Sequence, residues 1–230
     1  MIRLTKLEQP TILASKSDEW TAEYRLAVES GARSTPRRWA HPEIRSQLLR
    51  ETDGRCAYCE SILAVTAAGD VEHILPRKHR PDLVVRWTNL TVACPVCNRG
   101  KSDYYDPECP LIHPYEDQPN DHLVFFGPFV HSKNGTERER LTIERIGLHR
   151  LALVDSRKRR IEEVEGLIHD FRRASPTLKR VIIRRIVENI TTGEYRATVA
   201  SYLRAIEFDH ARETAALEKL TIGPGRKTSK

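Results

Sequence analysis

Four cysteines in two matched pairs, Cys56-Ala-Tyr-Cys59 and Cys94-Pro-Val-Cys97, are the first residues whose spacing implies chemistry. In a C-x2-C pair a tight turn lets two sulfurs converge on one ion, and four thiolates complete a tetrahedral Zn²⁺ shell. With all four positions supplied by protein, the expected site is closed and structural. Iron–sulfur ligation is the alternative use of such thiolates. Cys109 is left over as a free thiol. The 34 residues between Cys59 and Cys94 are more than a simple zinc ribbon needs, so something is built between the halves. Glu72-His73 and Asn89 lie in that insert, and Asn98, Arg99 and Lys101 follow the second pair directly. Histidine moves protons near neutral pH, and carboxylate and amide oxygens suit a hard cation. Each residue also has a plainer reading: His73 as a half-buried hydrogen-bonded side chain, Asn98 as a helix cap, Asn89 as a turn former.

The segments "CAYCE", "VEHILPRK" and "TNLTVACPVCNRGKSD", in this order over about residues 55–105, resemble an HNH endonuclease. That is the ββα-metal nuclease motif set in a zinc-knuckle frame. The "NRGKSD" run is also similar to the HNH domain of the CRISPR effector nuclease. The resemblance implies that His73 is the general base and that Glu72 and Asn98 ligate a catalytic Mg²⁺ or Mn²⁺. It implies that Asn89 shapes the loop by hydrogen bonds. Lys101, Arg99, Arg77 and Lys78 are then the expected substrate contacts. Phosphodiester hydrolysis needs what these residues offer: a base for the attacking water and a cation for the phosphate charge. Glu72 stands where the family often has Asp. Asn98 stands where many members have His, which favours Mg²⁺ or Mn²⁺ over a transition metal. Adjacent strand residues point to opposite faces, so joint use of Glu72 and His73 would need a local twist.

The segments "MIRLTKLEQPTIL", "YYDPECPLIHPYEDQPNDHLVF" and "LTIERIGLHRLALVDSRKR" look like the HNH nucleases of bacterial anti-phage systems, the retron-associated and Septu-type group. That likeness implies a partner ATPase. The chain holds no G-x-x-x-x-G-K-[ST] loop, so ATP control would come from another chain.

The elements that must position these residues can be read in outline. "SDEWTAEYRLAVES" reads as a helix with Ser17 as N-cap and Gly31 as stop, after an extended "KLEQPTIL". "HPEIRSQLLRETDG" reads as a second helix, with Pro42 in its first turn and Gly54 after its end. "DVEHILP" fits a short strand ending before Pro76, and "RWTNLTVACPVCNRGKSD" a turn, a brief apolar element and a short helix. Residues 106–135 read as loops with short strands. Helical periodicity then predicts helices at roughly 148–173, 176–191 and 194–219. The expected fold class is α+β and mainly helical, a zinc-framed ββα-metal HNH core with N-terminal helices and a C-terminal helical region. The corresponding division is 1–54 (extended segment and helices), 55–105 (nuclease core), 106–220 (loop, strand and helical extension) and 221–230 (disordered tail).

The chain has 230 residues, 39% hydrophobic and 30% charged, which fits a globular protein and argues against global disorder. No apolar run reaches the length of a membrane span, and the opening residues hold no signal-peptide core. The expected compartment is the cytoplasm, where cysteines serve as ligands or thiols rather than disulfides. The net charge of +6 is local: residues 138–186 carry 14 Lys and Arg against 7 Asp and Glu. The "RKRR" run at 157–160 could follow a DNA backbone, or it could be a solvated helix face paired with Glu162, Glu163 and Glu165. The reading is a metal-dependent DNA endonuclease. The alternatives are a non-catalytic zinc module that binds DNA or a protein, and an RNase using the same site.

Overall fold

In the computed structural model, which describes residues 1–63 and 69–219, the chain starts its first helix earlier than expected. Helix α1 spans Thr11–Glu29. Pro10, with φ −58°, leads directly into it, so Ser17 lies inside the helix rather than at its cap. Leu13, Trp20 and Tyr24 form its buried stripe, and Gly31 ends it with φ +66°. Helix α2 spans Pro42–Glu51, with Pro42 in its first turn as read from the sequence. Ile44 and Leu48 of α2 join Trp39, Val84 and Trp87 in one core with the α1 stripe.

That core backs a small sheet. Strand β1, Asp70–His73, pairs antiparallel with β2, Leu90–Ala93, so that Glu72 faces Thr91 and His73 faces Leu90. β2 is buried along its whole length. Cys94 follows at once and caps α3, Pro95–Lys101. The order β1–β2–α3 is the ββα unit expected for residues 55–105. Lys6, inserted beside Glu51 and donating to the Leu90 carbonyl at 2.6 Å, ties the N-terminal segment to β2.

α3 packs on β1 and on α5, Glu137–Ile146, which is reached through α4 (Pro119–His122), β3 (Leu123–Phe126) and β4 (Phe129–Ser132). The approach of α3 to α5 needs a glycine. A Cβ on Gly100 would lie 2.5 Å from the Arg145 carbonyl oxygen. Thr136 and Glu139 form a reciprocal capping box at the start of α5.

The described residues divide into two compact units. The first comprises residues 1–124 and 130–153, the second residues 125–129 and those from Val154 on. The second unit is helical: most of α6 (Leu151–Arg173), then α7 (Pro176–Thr192), α8 (Arg196–Ala205) and α9 (His210–Lys219). Val164, Ile168, Ile183, Ile186, Ile190 and Leu203 lie in its core. The single helix expected over 194–219 is therefore two. Glu207 takes a positive φ of 53°, and the Asp209 carboxylate accepts from the backbone N–H groups of Ala211 and Arg212 to start α9. The "RKRR" run is also only half a surface feature. Arg157 and Arg160 are buried, with Arg160 donating to the Asn189 carbonyl and pairing with Glu163, while Lys158 and Arg159 are exposed. The tail 221–230, expected to be disordered, lies outside the described residues. No helix among the described residues is long and apolar enough to cross a membrane.

Candidate active site and zinc centre

The two C-x2-C pairs meet. Ligand atoms of Cys56, Cys59, Cys94 and Cys97 all lie within 4.8 Å of one another, and Cys59 Sγ is 3.9 Å from Cys94 Sγ. Sulfurs about 2.3 Å from a shared zinc would stand roughly that far apart. The first pair sits in a turn anchored by Ala57 N–H donating to the Val92 carbonyl of β2 at 3.0 Å. The second pair is the first turn of α3, where Cys94 Sγ accepts from Cys97 N–H at 3.4 Å. Four thiolates around Zn²⁺ leave a net charge of −2. Arg150, which the sequence reading passed over, answers it: its guanidinium lies 3.6 Å from Cys97 Sγ and 3.9 Å from Cys94 Sγ. The four thiols are split by their mutual contacts and burial. Hydrogen bonds pull Cys59 and Cys94 below the ordinary thiol range, while burial pushes Cys56 up and hydrogen bonds to the other thiols push Cys97 up. It is the convergence of the four sulfurs that marks the site. The donor set thus fits a structural zinc. Cys109 stands outside it.

The knuckle also aims α3. Asn98 and Lys101 are three residues apart on that helix and share a face. Asp70 and Glu72 are two apart on β1 and share a face. The two faces oppose each other. Asn98 Nδ2 donates to Asp70 Oδ2 at 3.1 Å, and Lys101 Nζ lies 2.7 Å from Glu72 Oε1. Lys101 also donates to the His73 carbonyl at 2.8 Å. Lys101 is 3% exposed and Glu72 5%, so this end is shut from water, whereas Asp70 is exposed and Asn98 half-buried. Burial raises the Glu72 carboxyl above its usual range, against the pull of Lys101. Glu72 Oε1 has the ammonium contact but no well-directed hydrogen bond. The Glu72 carboxylate and the Asn98 amide oxygen are the donor type that a hard divalent cation takes.

His73 points to the other side of β1, as strand alternation requires. Its ring meets Trp39 edge-on, with centroids 5.0 Å apart. Nε2 lies 2.8 Å from the Val84 carbonyl. A carbonyl only accepts, so the neutral ring carries its proton on Nε2 and Nδ1 keeps a free lone pair. Burial lowers the His73 pKa to about 4, and Arg77 and Lys101 add to the fall. The ring is therefore neutral at physiological pH.

Asn89 is buried and triply bonded. Its Oδ1 accepts from Leu75 N–H at 2.8 Å, and Nδ2 donates to the carbonyls of Leu75 and Leu83 at 3.0 and 3.2 Å. These bonds clamp the chain leaving β1 to the turn before β2. Of the four expected substrate contacts, Arg77, Lys78 and Arg99 are exposed. Arg77 lies 5.0 Å over the Trp39 ring, and Lys78 pairs with Asp103 at 2.6 Å. Lys101 is not among them in position: its ammonium is turned inward to Glu72. Asp70, absent from the sequence reading, carries a signal that was there to use, since period two puts it on the Glu72 face. No signal in the sequence pointed to Arg150 or Trp39.

The profile of the HNH endonuclease family matches residues 56–104, the stretch that contains all four cysteines, β1, β2 and α3. The Septu protein PtuB of Bacillus thuringiensis is 31% identical over 219 residues, covering 88% of this chain and 82% of that protein. The Septu protein PtuB of Bacillus mycoides (strain KBAB4) is 26% identical over 196 residues, covering 72% of this chain and 66% of its own length. The likeness to the first runs well beyond the ββα unit, and the chain belongs to the HNH endonucleases, among the Septu-type anti-phage nucleases.

Proposed function

We propose that the chain hydrolyses DNA phosphodiester bonds with a divalent cation held on the β1–α3 face, Glu72 and Asn98 being its protein ligands. The observation that carries this is the opposition of Asp70 and Glu72 on β1 to Asn98 and Lys101 on α3, with His73 on the same strand. Bound Mg²⁺ or Mn²⁺ would supply charge neutralisation for the phosphate and the departing 3′ oxygen. His73 is assigned the proton of the attacking water through Nδ1. Its ring lies on the face of β1 opposite Glu72, so this role requires a local rotation that brings Nδ1 round to the cation face. The new P–O bond forms as the P–O3′ bond breaks, and the 3′ oxygen takes a proton from solvent. Asn89 fixes the loop behind His73. Lys101 acts from within, holding the Glu72 carboxylate and the His73 backbone in place. Arg77, Lys78 and Arg99 anchor the flanking phosphates.

The family likeness further supports action beside a separate ATPase, so the assay uses the chain with its partner. Plasmid DNA and a structured RNA are offered in parallel with Mg²⁺, Mn²⁺ or EDTA. Cleavage of DNA that requires the cation supports the reading. Cleavage confined to RNA overturns the substrate assignment, and cleavage unaffected by EDTA overturns the cation.

A further inference from the structure

Asn98 contributes through one end of a two-ended side chain. Its amide offers Oδ1, which can ligate a cation, and Nδ2, which cannot. Rotation about the last bond exchanges the two at little steric cost, so a ligating asparagine needs something to fix which end faces the ion. In this chain Nδ2 donates to Asp70 Oδ2 at 3.1 Å, and Oδ1 accepts no hydrogen bond from the described residues. A carboxylate only accepts, so this contact is compatible with one amide orientation alone.

Asp70 is suited to the task. It opens β1 on the same face as Glu72, opposite Ala93 in the ladder, so the strand fixes its backbone. It is exposed and forms no ion pair with any described residue, and its charge acts on Glu72. No other described residue hydrogen-bonds to its carboxylate.

We propose that Asp70 is a positioning residue for the candidate cation site: it holds the Asn98 amide with Nδ2 toward itself and Oδ1 turned away as the free donor. The inference rests on Asn98 being a cation ligand, as argued above. It assigns Asp70 no contact with the ion. Outer-shell partners of this kind are worth about 10- to 100-fold in metal affinity.

Asp70→Asn is the informative change. It keeps the size but adds an N–H donor, so the Asn98 amide can present either end. The measurement is Mn²⁺ affinity of the zinc-loaded full-length chain, by electron paramagnetic resonance titration, for wild type, Asp70→Asn, Asp70→Glu, Asn98→Ala and the Asp70→Asn/Asn98→Ala double variant. Zinc content and thermal midpoint serve as folding controls. The expected result is affinity weakened by about 10- to 100-fold for Asp70→Asn, with no further loss when it is added to Asn98→Ala. Affinity largely regained in Asp70→Glu completes the expected pattern. Wild-type affinity in Asp70→Asn, with weakened binding in Asn98→Ala, overturns the proposal alone. A full additional loss in the double variant also overturns it, because Asp70 would then act on the ion by itself. Unchanged affinity in Asn98→Ala overturns the reading of Asn98 as a ligand, and this proposal with it.

Discussion

At the scale of single residues, the site depends on side chains whose directions are set by what they cannot avoid. His73 is buried against Trp39, and that burial holds it neutral with a pKa of about 4 against 6.5 in the unfolded chain, outweighing the opposite pull of its donation to the Val84 carbonyl. The unfolded state therefore binds a proton in the window between those values that the folded state refuses. The stability linked to His73 is fully present above pH 6.5 and is lost as pH falls through 4. The full shift corresponds to about 3 kcal/mol. Denaturant midpoints measured from pH 7.5 to 4 should fall more steeply for wild type than for His73→Gln, which has no proton to bind. Parallel curves would show that His73 is not held neutral by the fold. The residue types of this site were legible from the sequence, because His73, Asn98 and the cysteines sit at local spacings. The direction of Lys101 was not. Charge reads as surface, and only the docking of α3 on β1 turns the ammonium inward to Glu72.

At the scale of elements, α3 is where the zinc centre and the candidate catalytic face become one object. Its first turn holds Cys94 and Cys97, and its next residues present Asn98 and Lys101 to β1. The far side of the helix lies so close to α5 that a methyl group on Gly100 would fall 2.5 Å from the Arg145 carbonyl oxygen. Backbone cannot yield as a side-chain tip does. Gly100→Ala should therefore cost about 1–3 kcal/mol through overpacking, read as a lowered thermal midpoint at unchanged zinc content. An unchanged midpoint would mean that α3 and α5 are not packed this tightly. The short helix and both strands of the ββα unit were readable, since C-x2-C, Pro76 and the apolar run at 90–93 punctuate them. The start of α1 and the break between α8 and α9 were missed for physical reasons. Pro10 can precede a helix as readily as stop an extended segment. The Glu207–Asp209 turn interrupts a helical periodicity that continues on both sides of it.

At the scale of the whole molecule, the two compact units have separate cores, and the zinc centre and candidate active site both belong to the first. Stripping the zinc should remove hydrogen-exchange protection from β1, β2 and α3 and leave α7 and α8 protected. Equal loss in both units would contradict that division. The concentration of positive charge in residues 138–186 was visible in the sequence, but its allocation was not: Arg157 and Arg160 are used inside the second unit, leaving Lys158 and Arg159 exposed. The central claim is that the strand carrying Glu72 and His73 and the helix carrying Asn98 form one cation-dependent nuclease centre framed by zinc. The most direct test is DNA cleavage by zinc-loaded wild type and His73→Ala, each with the proposed partner ATPase and Mn²⁺. The variant should keep its zinc and its fold and lose at least about 100-fold in cleavage rate, the usual worth of a general base. A folded variant that cleaves at the wild-type rate would contradict the central claim.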